Sequence, residues 1–340
     1  MVADKLRVGF IGCGGIAESH LKGLVNNPFV MLSAFCDVNL ERAKTTAQKY
    51  GQGASVYNNA EAMFNAVELD VAYFCVPPFA HGVEYKAIER GIPFFVEKPL
   101  HLDLNQARLI ASAVTKKGIL TSVGYMNRYR KGVLRVRDVL KMDPPILLLG
   151  GWISSSPKFD SIAPIFGWWV EKTKSGGQIH EQVTHTFDLA RFLCGEVSEV
   201  HAFTAKGFNK GTPPNYTIED ASVVNLKFRN GAVGNLWASC STNAGDGEIS
   251  LRIFALRTTA LFTKWEHNLR LLQVDKWHEE YPGEPNIFEI EDNSYIDAVR
   301  LNDASKILCP YSDGLKTLEV TLAVNTSMET GQPVKISKEF

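Results

Sequence analysis

From Leu6 to about Val123 the chain alternates short apolar runs, RVGFIG, MLSAFCD, VAYFCVP, PFFVEKP and ILTSVGY, with segments of helical periodicity such as NLERAKTTAQKYG. A short apolar run bounded by turn residues fits a strand buried on both faces, and strands alternating with helices imply parallel crossovers. Right-handed crossovers in one sheet then give a doubly wound, Rossmann-type parallel sheet with helices on both sides. This α/β domain is expected over residues 1–125.

After MDPPILLLGGW the rhythm changes to longer strand candidates, EVHAFTAKG, ASVVNLKFRNGAVGNLWASCS and EISLRIFALRTTALFTKW. Asn230-Gly231 between two alternating runs is a hairpin signal, because both residues tolerate positive φ. Residues 126–340 are therefore expected to form a second α/β domain around a large, mostly antiparallel sheet. In GGQIHEQVTHTFDLARFLCG, Ile179, Val183, Phe187 and Ala190 recur at helical spacing and Gly195 supplies a stop. Near the C-terminus a further helix is expected, with Ser312 or Asp313 as its cap, Gly331 beyond its end, and its body packing back toward the first domain.

Composition narrows the classes. Of 340 residues 45% are hydrophobic and 21% charged, with a formal net charge of -1, which argues against disorder and against a basic nucleic-acid surface. No apolar run approaches the roughly 18–20 residues of a membrane helix, and MVADKLR lacks a signal-peptide core, so a cytoplasmic protein with no membrane or nucleic-acid partner is expected. The six cysteines, at 13, 36, 75, 194, 240 and 309, form no CxxC pair and read as small buried hydrophobes.

The first chemical signal is Gly12-Cys13-Gly14-Gly15-Ile16-Ala17, a G-x-G-x-x-A turn between an expected strand and an expected helix. Gly12 permits the tight turn, bare backbone at Gly14 lets a pyrophosphate approach, Ala17 allows close helix packing, and the helix N-terminus offers free N–H groups. Asp37 ends the next strand, 20 residues (37 minus 17) beyond Ala17, where an acid meets the adenosine ribose hydroxyls. An aspartate there repels a 2'-phosphate and Val38-Asn39 supply no guanidinium, which favours NAD over NADP; Arg42 is read as part of a solvated helix face. Two further strand ends reach the same rim. Val76-Pro77-Pro78 cannot continue a central strand and brings His81 to the next helix, either to cap it or to touch the cofactor. Glu97-Lys98-Pro99 holds Lys98 out of the helical region at the place where a nicotinamide is expected.

In the second half Glu181 and His185, four apart, share a face of one continuous helix, whereas His180 and His185, five apart, are rotated by about 140°, so no metal site is expected. On spacing alone His185 is either a buried histidine bonded to Glu181 or a functional group.

These residues together resemble the Gfo/Idh/MocA family of oxidoreductases, through GFIGCGGIA, Asp37, VPPFAH, Gly91 leading to VEKP, GYMNRY and SGGQIHEQVTHTFDLARFL. The resemblance implies a Rossmann domain and a C-terminal α/β domain on an open sheet that mediates dimers or tetramers. It implies Lys98 beside the nicotinamide, His185 at the substrate and Glu181 as its acidic partner, where many members carry Asp. It adds Met126 to the cofactor contacts, and Asn127, with Arg128, to the substrate side; Trp168 offers a ring for a sugar face. The activity implied is NAD-dependent hydride transfer from a secondary alcohol of a sugar, cyclitol or related polyhydroxylated compound. Imidazole titrates closer to neutrality than an ammonium, which makes His185 the proton acceptor and Lys98 the holder of the substrate oxygen; the reverse assignment is chemically allowed. The alternatives are an NADP-dependent reductase of an aldehyde, diol or bile pigment, and a non-catalytic NAD-binding regulator.

Overall fold

The computed structural model describes residues 5–155, 166–242, 245 and 247–337. By compactness the chain forms two units, one of residues 1–126 and 286–315, the other of residues 127–285 and 316–340.

In the first unit six strands, β1 (Leu6–Ile11), β2 (Val30–Cys36), β3 (Ser55–Tyr57), β4 (Val71–Phe74), β5 (Phe94–Val96) and β6 (Thr121–Val123), form one sheet in the order β3-β2-β1-β4-β5-β6. Every pairing is parallel, as the alternation of strands and helices implies. All four side chains of β4 are buried, which explains why the parallel strands read as unbroken apolar runs rather than alternating ones. Phe10, Tyr73 and Phe95 stack face on across β1, β4 and β5, and Tyr295 closes over them at an angle. Three of the flanking helices start on polar caps: Asn39 accepts from Arg42 N, Asn59 from Ala62 N, and Asp103 from the N–H groups of Asn105 and Gln106. Only β3, three residues long and half-buried, left no apolar run to read.

Residues 286–315 belong to this unit, not to the second domain expected over 126–340. The reason is apolar burial. The helix Ile287–Leu301 puts Tyr295, Ile296 and Ala298 into the core under the sheet, and its Glu289 lies against the bare backbone of Gly23 in the helix Gly15–Leu24.

Among the described residues the second unit holds nine strands: β7 (Pro145–Ile153), β8 (Val197–Ala205), β9 (Ala221–Phe228), β10 (Val233–Ser239), β11 (Glu248–Ala255), β12 (Thr258–Thr263), β13 (Asn268–Gln273), β14 (Glu279–Tyr281) and β15 (Val334–Lys335). Their order is β14-β13-β12-β11-β7-β10-β9-β8-β15, and all pairs are antiparallel except β7 with β10. In β9 buried and exposed residues alternate strictly, the pattern of a sheet covered on one face. The covered face packs on Val133, Val136, Phe187, Leu193, Val320 and Val324 from three helices.

Three local readings are corrected. At Asn230-Gly231 only Gly231 has positive φ, 94°, and its N–H donates to Phe228 O, so Arg229 and Asn230 make an ordinary turn that glycine closes. The helix read as continuous from Ile179 to Ala190 is two, Gln178–Glu181 and Thr184–Cys194, because Gln178 O accepts from both Gln182 N and Val183 N and breaks the ladder. The C-terminal helix starts at Tyr311, whose N–H donates to Thr121 Oγ1, so Ser312 and Asp313 lie inside its first turn and are not its cap; Gly331 does follow its end. Among the described residues no helix is long and apolar enough to cross a membrane.

Candidate active site

In the first unit the strand ends and the glycine turn form one rim. Gly12 has φ 89°, and a Cβ there would lie 2.2 Å from Cys75 O, so the tight turn at the end of β1 excludes any side chain. Around Gly14 and Gly15 the situation is the opposite: an added Cβ would meet nothing within 4 Å. Packing does not demand these glycines; they leave open space. The helix beginning at Gly15 has Gly14 at its N-cap with no side chain bonded to its first N–H groups, while Ala17 is buried against the sheet. An uncapped helix N-terminus facing open space fits the pyrophosphate of a dinucleotide.

Asp37 is 6% exposed and fixed by the turn itself: Oδ2 accepts from Cys13 N at 2.9 Å and Oδ1 from Asn39 N at 2.8 Å. Val38 beside it is 94% exposed, so the chain reaches the surface immediately after the carboxylate. Arg42 is exposed, as expected of a solvated helix face, and also reaches back to Asp37 with Nη1 at 3.4 Å. Burial near this carboxylate pushes the Cys13 thiol up to about 12 and that of Cys36 to about 11, so both remain inert thiols. All six cysteines are buried and free, as expected of small hydrophobes.

Beyond β4, Val76 and Pro77 are half-buried, and Pro78 opens a short 3-10 turn ending at Ala80. His81 follows it and does not cap the helix Tyr85–Arg90 directly: Nδ1 makes a very short hydrogen bond to Glu84 Oε1, while Nε2 is buried without a partner. Burial would push the Glu84 carboxyl up, but His81 and the Gly82 N–H hold it below the usual carboxylate range. Beyond β5, Glu97 is buried and Lys98 half-buried, with Lys98 N donating to Glu97 Oε2 at 2.9 Å; the Lys98–Pro99 peptide is cis. Met126, the last residue of this stretch of the unit, is buried.

In the second unit His185 is the second residue of the helix Thr184–Cys194, buried, with its ring edge-on to Trp265 at a centroid distance of 6.4 Å. Glu181 ends the preceding one-turn helix, so the shared helical face inferred from the spacing of Glu181 and His185 does not exist. Glu181 Oε2 accepts from Trp169 Nε1 at 2.8 Å. Trp168 packs on the small cluster of Trp169, Val170, Ile218 and Cys240. Asn127 is buried; Oδ1 accepts from Arg130 Nε at 2.7 Å and Nδ2 has no partner among the described residues. Arg128, placed on the substrate side by the resemblance, is turned into the unit, donating Nε and Nη2 to the two oxygens of Asp188 at 2.7 and 2.6 Å. Thr317 Oγ1 also donates to Asp188, at 2.9 Å.

Sequence reasoning passed over His20, Asp292 and Glu84. The first two are 272 residues apart, and the signal available was only polarity in an otherwise apolar helical stripe.

Comparison with known proteins places the chain. Residues 6–125 match the family model described as an oxidoreductase family with an NAD-binding Rossmann fold, and residues 155–260 match the GFO/IDH/MocA C-terminal domain. The chain belongs to the Gfo/Idh/MocA oxidoreductase family. Among family members, the scyllo-inositol 2-dehydrogenase (NAD(+)) of Bacillus subtilis strain 168 is 24% identical, over 98% of this chain and 96% of its own. The D-glucoside 3-dehydrogenase of Escherichia coli K12 is 27% identical, over 71% of each. A levoglucosan dehydrogenase solved with NADH and levoglucosan shares the fold at TM-score 0.85, with 18% identity over 99% of this chain and 100% of its own. Residues 6–125 are thus the family's NAD-binding Rossmann domain, residues 155–260 fall in its C-terminal domain, and the chain is an oxidoreductase of that family.

Proposed function

We propose that this Gfo/Idh/MocA protein oxidises a secondary alcohol of a sugar, cyclitol or sugar derivative, with NAD as hydride acceptor and with Lys98 and His185 handling the substrate oxygen and its proton. The observation that carries the cofactor half is the uncapped, open helix N-terminus beside an Asp37 fixed by the turn it serves. Gly14 and Gly15 would hold the pyrophosphate and Asp37 the adenosine ribose. Arg42 is paired with Asp37 and is thereby neutralised as a receptor for a 2'-phosphate. Bound NAD supplies the hydride acceptor at nicotinamide C4.

The chain's own residues do the rest. His185 takes the hydroxyl proton, imidazole being the ordinary side chain that titrates nearest neutrality, and the Lys98 ammonium donates a hydrogen bond to the oxygen as negative charge grows on it. Glu181, held by Trp169, supplies a carboxylate to substrate hydroxyls. The unpartnered Nδ2 of Asn127 is a buried donor suited to a polyhydroxylated ligand, since a buried amide left without a partner is costly. The relatives named for scyllo-inositol and D-glucoside are consistent with that substrate class.

The test is a panel of cyclitols, pyranoses and sugar acids offered with NAD and with NADP, read as reduced cofactor. Turnover with NAD on at least one polyol is expected. Turnover only with NADP, or only on aldehydes, overturns the assignment.

A further inference from the structure

The first unit contains a buried chain of charged groups that the reaction above does not use. His20 lies on the helix Gly15–Leu24 and is 0% exposed. Its Nδ1 is 2.8 Å from Asp292 Oδ1 and its Nε2 3.0 Å from Glu97 Oε1. With a carboxylate oxygen at each nitrogen, the ring satisfies both only as the two-proton imidazolium, or with one proton moved onto a carboxyl. The rings of Tyr73, Phe95 and Phe288 surround it at centroid distances of 5.8, 4.9 and 5.4 Å, so water does not compete for these bonds. Burial would push the imidazole down, yet Asp292 and Glu97 bring it well above its ordinary value.

The end of this chain of contacts is the lysine. Glu97 presents Oε1 to His20 and Oε2 to the Lys98 N–H, so one carboxylate links the histidine to the main chain of Lys98. The space it occupies is reserved: a Cβ on Gly124 would lie 2.6 Å from Oε1. A glutamate side chain has three rotatable bonds, and an acceptor bonded only to the next residue's N–H would not fix them. The charge-assisted bond from His20, itself oriented by Asp292, does.

We propose that His20 and Asp292 are positioning residues for Lys98: they hold the Glu97 carboxylate, which fixes the peptide from which the lysine side chain departs. The same link ties the helix whose N-terminus serves the cofactor to the strand end that carries Lys98. This inference rests on the reading of Lys98 as a catalytic residue, and the test separates the two.

Lys98→Met is measured first; a variant that keeps its kcat overturns both readings. With kcat lost there, His20→Phe, which suits the aromatic surround but donates nothing, is expected to lower kcat about tenfold or more with the NAD dissociation constant within about twofold. Combined with Lys98→Met it is expected to add less than about twofold, because a residue acting through the lysine has nothing left to act on. Glu97→Gln, isosteric and able to accept from only one of its two partners, repeats the comparison where the bulkier variant does not fold. In cofactor-free protein, the acylation rate of Lys98 by an activated ester, mapped by mass spectrometry, is expected to change about threefold or more in His20→Phe and Asp292→Leu, and to return toward wild type in Asp292→Asn, whose amide oxygen still accepts from Nδ1. A kcat loss that multiplies with that of Lys98→Met, or an unchanged acylation rate at Lys98 in a folded His20→Phe protein, contradicts the proposal while leaving the role of Lys98 intact.

Discussion

Two of the buried histidines, His20 in the first unit and His267 in the second, show how the same burial leads to opposite protonation. His267, after β12 in the second unit, is pushed down to about 4 by burial, which the hydrogen bond to Trp265 O only partly opposes, and it stays neutral. His20, in the first unit, is no less buried, yet Asp292 and Glu97 raise it well above its ordinary value. Burial is common to both; the partners decide the sign. The parallel half surrounds His20 with two carboxylates, whereas in the antiparallel half His267 is held uncharged, and a buried ion pair, Arg128–Asp188, is formed from the helix that also carries His185.

The contrast can be broken at Lys98 first. If the strand end is the chemical centre of the first unit, Lys98→Met lowers kcat by about 10³-fold, roughly 4 kcal/mol of barrier, with little change in NAD affinity. Steady-state rates alongside cofactor titration by fluorescence check this, and a large loss of NAD affinity at unchanged kcat would move the lysine from chemistry to binding.

The second unit is tested at Asp188. Its removal strands the Arg128 guanidinium in the interior, so Asp188→Ala is expected to cost about 3 kcal/mol or more of stability, read by urea unfolding. Asp188→Asn, which keeps the side-chain shape and one acceptor oxygen but not the charge, should cost less. Equal costs would mean that the charge of Asp188, rather than its shape and hydrogen bonding, carries the pair.

The two histidines predict opposite ends of the pH–stability curve. For His267 the folded value of about 4 lies below the unfolded value of about 6.5. The unfolded chain therefore binds the proton first, and stability present above pH 6.5 is lost as pH falls toward 4, by up to about 3 kcal/mol. His20, raised in the folded state, contributes stability that is present below pH 6.5 and lost as pH rises through its folded value. Thermal melts of His267→Gln should show a flatter acid limb. An acid limb as steep as in the wild type would assign that loss to carboxylates.

The smallest effect concerns capping. Asp103 accepts from two N–H groups at the start of the helix Leu104–Lys117, and Asp103→Ala should cost about 1 kcal/mol with turnover unchanged. A loss of turnover would extend the site to that helix.

Legibility in the sequence follows the same division. In the first unit the glycine turn, Asp37 and the EKP strand end were readable because backbone geometry imposes residue types there: Gly12 has no room for a side chain, and a two-faced parallel strand must be apolar throughout. The parallel and antiparallel sheets were both legible from the run and alternation patterns. The break between Glu181 and Thr184 was not, because it depends on a doubly used carbonyl, which no residue type marks. Nor was the return of residues 286–315 to the first unit, since an amphipathic helix does not say which core it covers. The Asp292–His20–Glu97 chain spans three distant segments, and no local pattern marks a polar residue as one member of a buried set.

The claim on which the account depends is direct transfer of hydride from an alcohol carbon to the cofactor. Deuterium placed on the carbinol carbon of the cyclitol or pyranose that the enzyme oxidises should be recovered in reduced NAD, at C4 of the nicotinamide and not in water, with the rate of transfer collapsing in Lys98→Met. Label released to solvent, or transfer that proceeds undiminished without the lysine, would contradict it.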